Sequence, residues 1–248
     1  MQSALDAAEK AIQVAPEESD GFEARGQLRT NHTWDWTGAT TDLERGLALS
    51  PNSAGLRANY AHLLELRGKL DEAIAMQRLA VELDPLQARN WYFLGFLYEN
   101  AGRFPLARAA MERALEISPD LALGQCGLGY VSLQEGNLAV ALDTFRKCPL
   151  ETHRLSGEAM TLHSLGQRAQ AQEALDRLIA RYSEVASFQI ATVYAWRGER
   201  SRSLDWLERA YALRDTRIGA LKGNPILRRL HGEPRFKALL GKMNLPPD

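Results

Sequence analysis

Prolines punctuate the chain at Pro16, Pro51, Pro85 and Pro119, spaced 35, 34 and 34 residues apart. Each closes a similar phrase: "AIQVAP", "GLALSP", "AVELDP" and "ALEISP". Glycines recur between and beyond them, at Gly68, Gly102, Gly136, Gly166 and Gly198. A period near 34 residues restricts the chain to an array of like units. Each unit is too small to bury its own apolar face and becomes stable by stacking on its neighbours.

Within a unit, two stretches of helical period flank the glycine. In residues 88–121, Trp91, Leu94, Gly95 and Tyr98 form one stripe at i, i+3, i+4 and i+7. Ala107, Met111 and Ala114 form the stripe that faces it. The small residues let the two helices approach, and the turn glycine accepts the positive φ that ends the first helix. The proline suits the first turn of the next helix, where its missing N–H costs nothing. No stretch has the period of a strand, so the chain is expected to be helical throughout.

The phrases resemble the tetratricopeptide repeat, whose pattern runs Trp-x2-Leu-Gly-x2-Tyr and then Gly, Ala, a large apolar residue, Ala and Pro. Residues 88–121 match nearly every position, with Met111 in the aromatic slot. Residues 122–151 carry Leu128, Gly129, Gly136, Ala141 and Phe145, and residues 54–87 carry Ala61, Leu64, Gly68, Ala73, Ala80 and Pro85. Weaker units at 152–183 and 184–217 keep Ala159, Leu162, Gly166, Ala171, Leu175, Ile190, Ala191, Tyr194, Gly198, Leu207 and Ala210. The resemblance implies an all-α, right-handed α-α superhelix of antiparallel helix pairs with a noncatalytic, protein-binding role.

In that frame residues 1–16 are the second helix of an incomplete unit, and a chain that starts in mid-unit is expected to be a piece of a longer protein. Residues 17–213 form the solenoid, with units 20–53, 54–87, 88–121, 122–151 and 152–183 and a degenerate unit 184–217. Residues 214–248 are a C-terminal cap over the last unit. The phrases "WDWTGATTDLERGLALSPN", "SLDWLERAYALRD" and "PRFKALL" are also similar to the tetratricopeptide segments of bacterial multidomain regulators. In those, the segment follows a nucleotide cyclase, a Ser/Thr kinase or a winged-helix domain. That resemblance implies an alternative role in signalling: a regulatory or oligomerising segment, sensing a small ligand.

Two departures from the period stand out. "NHTWDWTGA" replaces the turn glycine region of unit 20–53, so its first helix is expected to end irregularly. Unit 122–151 is about four residues short, with "RKCPLETH" where a helical turn is due. This joint is expected to bend the solenoid and to open most easily, because it lacks packing that regular joints share.

Composition narrows the setting. The chain is 45% hydrophobic and 25% charged, ordinary for a globular protein, and its net charge of −1 gives no field to attract nucleic acid or an anionic membrane. No apolar run approaches the roughly 18 residues of a membrane span, and the N-terminus lacks the basic and apolar regions of a signal peptide. Cys126 and Cys148 are too few for a disulfide framework or a structural zinc site, which favours a reduced, cytoplasmic setting. Residues 214–242 carry eight Lys/Arg against two acids. This basic tail reads as a solvated cap over an acidic neighbour rather than a phosphate-binding surface.

No motif for catalysis emerges. In "GQCGLGY" the position of a papain-type nucleophile falls on Gly129, which has no thiol, and no strand precedes the phrase to make it a dinucleotide site. His153 and His163 are ten residues apart, not the i, i+4 spacing of paired metal ligands. No phosphate loop or nucleophile elbow is present. No enzyme activity, cofactor or metal is therefore expected.

The register of the repeat assigns the inner, concave wall. Its positions include His62, Arg89, Tyr92, Phe96, Glu99, Tyr130, Met160, His163 and Phe188, which are the expected partner-binding groove. Trp91 and Tyr98 are left to build the repeat, and Phe93 to pack between repeats. The wall is aromatic and weakly charged, without the lysines, asparagines and arginine by which chaperone-binding members of the family grip a carboxylate. A protein or peptide is the expected partner, with a homodimer as the alternative and no direct contact to nucleic acid or membrane.

Overall fold

The computed structural model describes residues 2–246, leaving aside the side chain of Thr216. Among the described residues there are fourteen α-helices and no strand. Helix α1 (Gln2–Val14) stands ahead of six hairpins. These pair α2 (Asp20–Leu28) with α3 (Trp36–Leu49), α4 (Ala54–Leu66) with α5 (Leu70–Leu83), and α6 (Ala88–Asn100) with α7 (Phe104–Ile117). The series continues with α8 (Ala122–Gln134) and α9 (Leu138–Lys147), α10 (Glu151–Ser164) and α11 (Arg168–Tyr182), then α12 (Ser187–Trp196) and α13 (Arg200–Ala212). Two 3-10 turns, Thr216–Leu221 and Pro225–Leu230, lead to α14 (Pro234–Lys242). The arrangement is an α-α superhelix.

Local chemistry explains the hairpins. The five recurring glycines have φ between +71° and +82°, the left-handed conformation that closes the first helix of every pair after α2–α3. The second helices end differently. Ser50, Asp84 and Ser118 leave the helix with φ of −131°, −132° and −136°. Each precedes a proline, whose ring disfavours a helical predecessor. Pro51, Pro85 and Pro119 consequently sit in the turn between helices, and the next helices begin only at Ala54, Ala88 and Ala122. This corrects the expectation that they occupy the first turn of the following helix. For α4 the cap is instead Ser53, whose Oγ accepts from the Leu56 N–H at 3.2 Å.

Between paired helices the approach is close. A Cβ added at Gly95 would lie 2.7 Å from Met111 Cγ, and Met111 is fully buried. The first hairpin replaces the turn glycine with a π-helical turn, Arg29–Thr33, followed by Trp34 at φ 53°. It is held by the buried Asp42 carboxylate, which pairs with Arg25 and Arg29 at 2.7 Å each.

The short unit holds a surprise. Helix α9 has 10 residues where α7 has 14, and the joint that follows carries Cys148. Its sulfur is bonded to Cys126 of α8, with the two Cα atoms 5.0 Å apart. Composition favours two reduced thiols, and the missing turn an easily opened joint. The structure instead stitches this joint covalently.

The C-terminal segment also departs from its expected role. It does cover the last hairpin, where Arg235 pairs with Asp205 at 2.7 Å and Glu208 at 2.9 Å. It then continues across the superhelix to the first hairpins. Leu227, Leu230, Phe236, Leu239 and Met243 share one buried cluster with Trp34, Trp36, Leu43, Leu56, Leu63 and Leu66. Trp36 Nε1 donates to the Met243 carbonyl at 2.7 Å. Tyr211 packs 5.4 Å from Trp34, and the Arg214 guanidinium lies 4.5 Å above the same ring. Residues 214–246 therefore bridge the last hairpin to the first, which a cap over the last unit alone does not describe.

Candidate functional site

The first helices of five successive hairpins, α4, α6, α8, α10 and α12, turn one face inward. Between that wall and the two 3-10 turns of the C-terminal segment is a cavity of about 440 Å³. The wall contributes His62 and Glu65 from α4, Tyr92, Phe96 and Glu99 from α6, Tyr130 from α8, His153 from α10, and Phe188 and Gln189 from α12. The tail contributes Arg217, Ala220, Asn224, Pro225 and Ile226.

Six of the nine groove residues assigned from the repeat register line this space: His62, Tyr92, Phe96, Glu99, Tyr130 and Phe188. The other three lie elsewhere. Met160 is 1% exposed inside the repeat core, in the cluster that holds Phe145, Leu155 and Leu175. Arg89 is exposed, and His163 sits half-buried near the end of α10. Phe93, read as a packing residue between repeats, is on the cavity as well and stacks on Phe96 with centroids 6.0 Å apart. His62 meets Phe93 edge-on at 5.8 Å.

The aromatic rings are fixed from behind. Tyr130 packs edge-on to Phe145 at 4.9 Å, and its hydroxyl shares a hydrogen bond with Ser156 Oγ at 3.0 Å. His153 lies 5.9 Å from the Tyr130 ring. On the tail side, Arg228 Nη2 donates to the Asn100 carbonyl at 2.9 Å and holds the second 3-10 turn against α6. Asp215 caps the first turn. Its carboxylate accepts from the Phe188 and Arg217 backbone N–H groups, both at 3.0 Å.

Burial sets the charge of the site. Glu65 and Glu99 are 2% and 7% exposed, and loss of hydration pushes both carboxyls up to about 8. Gln134 Nε2 donates to Glu99 at 2.6 Å and offsets part of that rise. Burial holds His153 down to about 4, with Arg217 adding to the effect. Near neutral pH both acids are mostly protonated and His153 is neutral. Several buried side-chain atoms in these walls lack hydrogen-bond partners: Glu65 Oε1, Asn100 Nδ2, His153 Nδ1 and Gln189 Oε1.

Among the described residues no cluster of potential metal ligands is present, and no helix is long and apolar enough to cross a membrane. Hairpins of this length, stacked with their first helices on a common inner wall, define a helical-repeat solenoid. Tetratricopeptide repeat models match residues 54–85, 88–121 and 157–184. The chain thus carries tetratricopeptide repeats, a fold that typically serves as a noncatalytic protein–protein interaction scaffold.

Relatives share parts of it. The human protein O-mannosyl-transferase TMTC1 is 43% identical over 85 residues, which is 33% of this chain and 10% of that protein. Human tetratricopeptide repeat protein 7B is 27% identical over 107 residues, 43% of this chain and 13% of that protein. The matches thus span about a tenth of these curated relatives. A tetratricopeptide repeat protein from Parabacteroides merdae superposes with a TM-score of 0.70 at 14% identity, covering 98% of this chain and 91% of the other. That likeness is one of fold.

Proposed function

We propose that the chain is a noncatalytic interaction scaffold that receives an apolar segment of another protein at the mouth of its concave wall. One observation carries this reading: the wall already holds a length of polypeptide. Residues 216–230 lie along it, anchored by Ile226 against the rings and by the Arg228 bond to a helix-end carbonyl. A surface that accommodates its own chain by apolar contact and backbone bonding has the chemistry to take a second segment beside it. His62, Phe93 and Phe96 line the cavity and are each partly exposed, the His62 side chain to 38%. Partly exposed rings at helical spacing offer contact area with little rotamer entropy to lose.

The test is capture of proteins from the native cell on the immobilised intact chain. A genuine partner is retained by wild type and by Leu86→Asp, a change at an outer residue 73% exposed. Phe96→Asp should release it while the melting temperature stays the same. Capture that ignores both Phe96 and His62 removes the concave wall from consideration.

The disulfide bears on location. Disulfides persist in oxidising compartments and are rare in the cytoplasm, so Cys126–Cys148 favours a setting outside the reduced cytoplasm expected from composition. Alkylation of the native protein during lysis, followed by intact mass, decides this. An unmodified chain supports the oxidising compartment, and two alkylated cysteines restore the cytoplasmic one.

A further inference from the structure

The cavity has more in it than a packing defect between wall and tail would need. Its volume of about 440 Å³ falls within the range of small-molecule pockets. A void left by imperfect packing is lined by apolar groups and stays dry. This one is bounded by rings and also by four side chains with unpartnered buried atoms, three of them 5% exposed or less. Native interiors leave few such atoms, and each asks for a partner.

The charge is equally one-sided. Arg217 reaches the cavity from the first 3-10 turn, and among the described residues its guanidinium makes no ion pair or hydrogen bond. The nearest acid in sequence, Asp215, is engaged with two backbone N–H groups. The two acids on the cavity wall are held in their neutral form near neutral pH. A cation facing an aromatic, water-poor space without a counter-ion is a strong attractor for an anion, and the guanidinium fork matches a carboxylate.

We infer that the cavity is a binding site for a small organic carboxylate with a flat apolar body. The carboxylate lies on Arg217 and the body lies against Tyr92, Phe96 and Tyr130. The unpartnered Asn100 amide and Gln189 carbonyl are placed to reach polar atoms on such a body after a small side-chain rotation. The wall and the tail both contribute to the site, so a bound ligand holds the two together and stabilises the closed solenoid. No protein partner is required, and the site stands or fails independently of the scaffold reading.

The experiment is titration of the intact, ligand-stripped protein at pH 6.5 by calorimetry. The probes are 3-phenylpropionate, indole-3-acetate and octanoate, each beside its neutral amide. At least one aromatic acid should bind with one-to-one stoichiometry, about tenfold or more tighter than its amide. Octanoate should bind more weakly than the aromatic acids. Arg217→Gln should bring acid and amide to within about threefold of each other. Its melting temperature without ligand should stay as in wild type. Absence of binding by every probe overturns the inference, as does equal affinity of acid and amide for wild type. An acid preference that survives Arg217→Gln overturns it too. The comparison of acid with amide on wild type decides the matter even if the variant fails to fold.

Discussion

The α6–α7 hairpin and the seam between Trp36 and Met243 hold the molecule in opposite ways. In the hairpin, Gly95 and Met111 meet across one turn, 16 residues apart in sequence, and the same arrangement recurs in neighbouring units. At the seam, an indole N–H and a carbonyl meet across 207 residues of chain, with no repeated counterpart. Stacked hairpins give a solenoid whose stability adds up unit by unit. The seam makes the two ends of that solenoid depend on each other. A chain of local units thereby gains a long-range constraint that its period does not specify.

The seam can be broken outright. A chain ending at Leu213 exposes Leu56, Leu63, Leu66, Leu204 and Leu207, which the C-terminal segment shares in one buried cluster. An uncovered apolar patch of this kind promotes association. The truncated protein should self-associate in light scattering and lose a single cooperative melt. If it stays monomeric and melts like the full chain, the seam contributes nothing and the hairpins alone hold the fold.

A gentler cut separates the two modes of cohesion. Trp36→Ala removes a ring 6% exposed together with its bond to Met243, at a cost of about 3–5 kcal/mol. Hydrogen exchange in this variant should quicken at residues 225–245 far more than in α6 and α7. Met111→Ala, in the hairpin, should cost about 2–5 kcal/mol and give the reverse pattern. Equal loss of protection everywhere in both variants would mean that hairpins and seam unfold as one unit.

The smallest effect is set by pH. Glu65 backs onto the tail, where a Cβ added at Gly223 would lie 3.0 Å from its carboxylate, and Glu99 faces the cavity between Gln134 and the Tyr92 and Tyr130 rings. The folded state holds both carboxyls up to about 8, above the ordinary 4.5. An acid raised on folding favours the folded state below its unfolded value, and that advantage is lost as pH climbs through the folded value. His62 and His153, held neutral in the fold, work the other way as their unfolded forms lose the last protons above pH 6.5, but together they offset less than about 1 kcal/mol, so the acids dominate at this site. Stability should fall on the order of 2–4 kcal/mol between pH 6.5 and 8.5 in denaturant titrations. The double variant Glu65→Gln, Glu99→Gln should flatten that decline. An equal decline in the variant would assign it to other groups.

The hairpins were readable because their causes are local. A glycine at φ near +78° and a pre-proline residue forced out of the helix announce themselves within a few residues. The groove was partly readable for the same reason: Tyr92, Phe96, Glu99 and Tyr130 recur on one helical face. Phe93 packs between repeats as its place on the helix implies, meeting His62 of α4, but the period does not show that its ring also borders a cavity closed by the tail. Arg217 was invisible as a site residue, since its position depends on where a non-repeating segment returns. The "WDW" phrase marks an irregular turn, yet nothing within the unit says what two indoles in a turn will cover. Two cysteines in the sequence do not announce a bond, and Cys126 meets Cys148 only because the joint after the short α9 returns against α8.

The bond between Trp36 and Met243 also fixes an order of events during synthesis. When Trp34 and Trp36 leave the ribosome, the segment that will cover them has not yet been translated. At about 5–20 residues per second, the roughly 180 residues in between take on the order of 10–40 s to arrive. Early hairpins can form and stack within that interval, but their inner face stays wet and apolar. The nascent solenoid is therefore most vulnerable to misassociation at the hairpin carrying Trp34 and Trp36, and a holding chaperone acting there would bridge the delay until α14 docks.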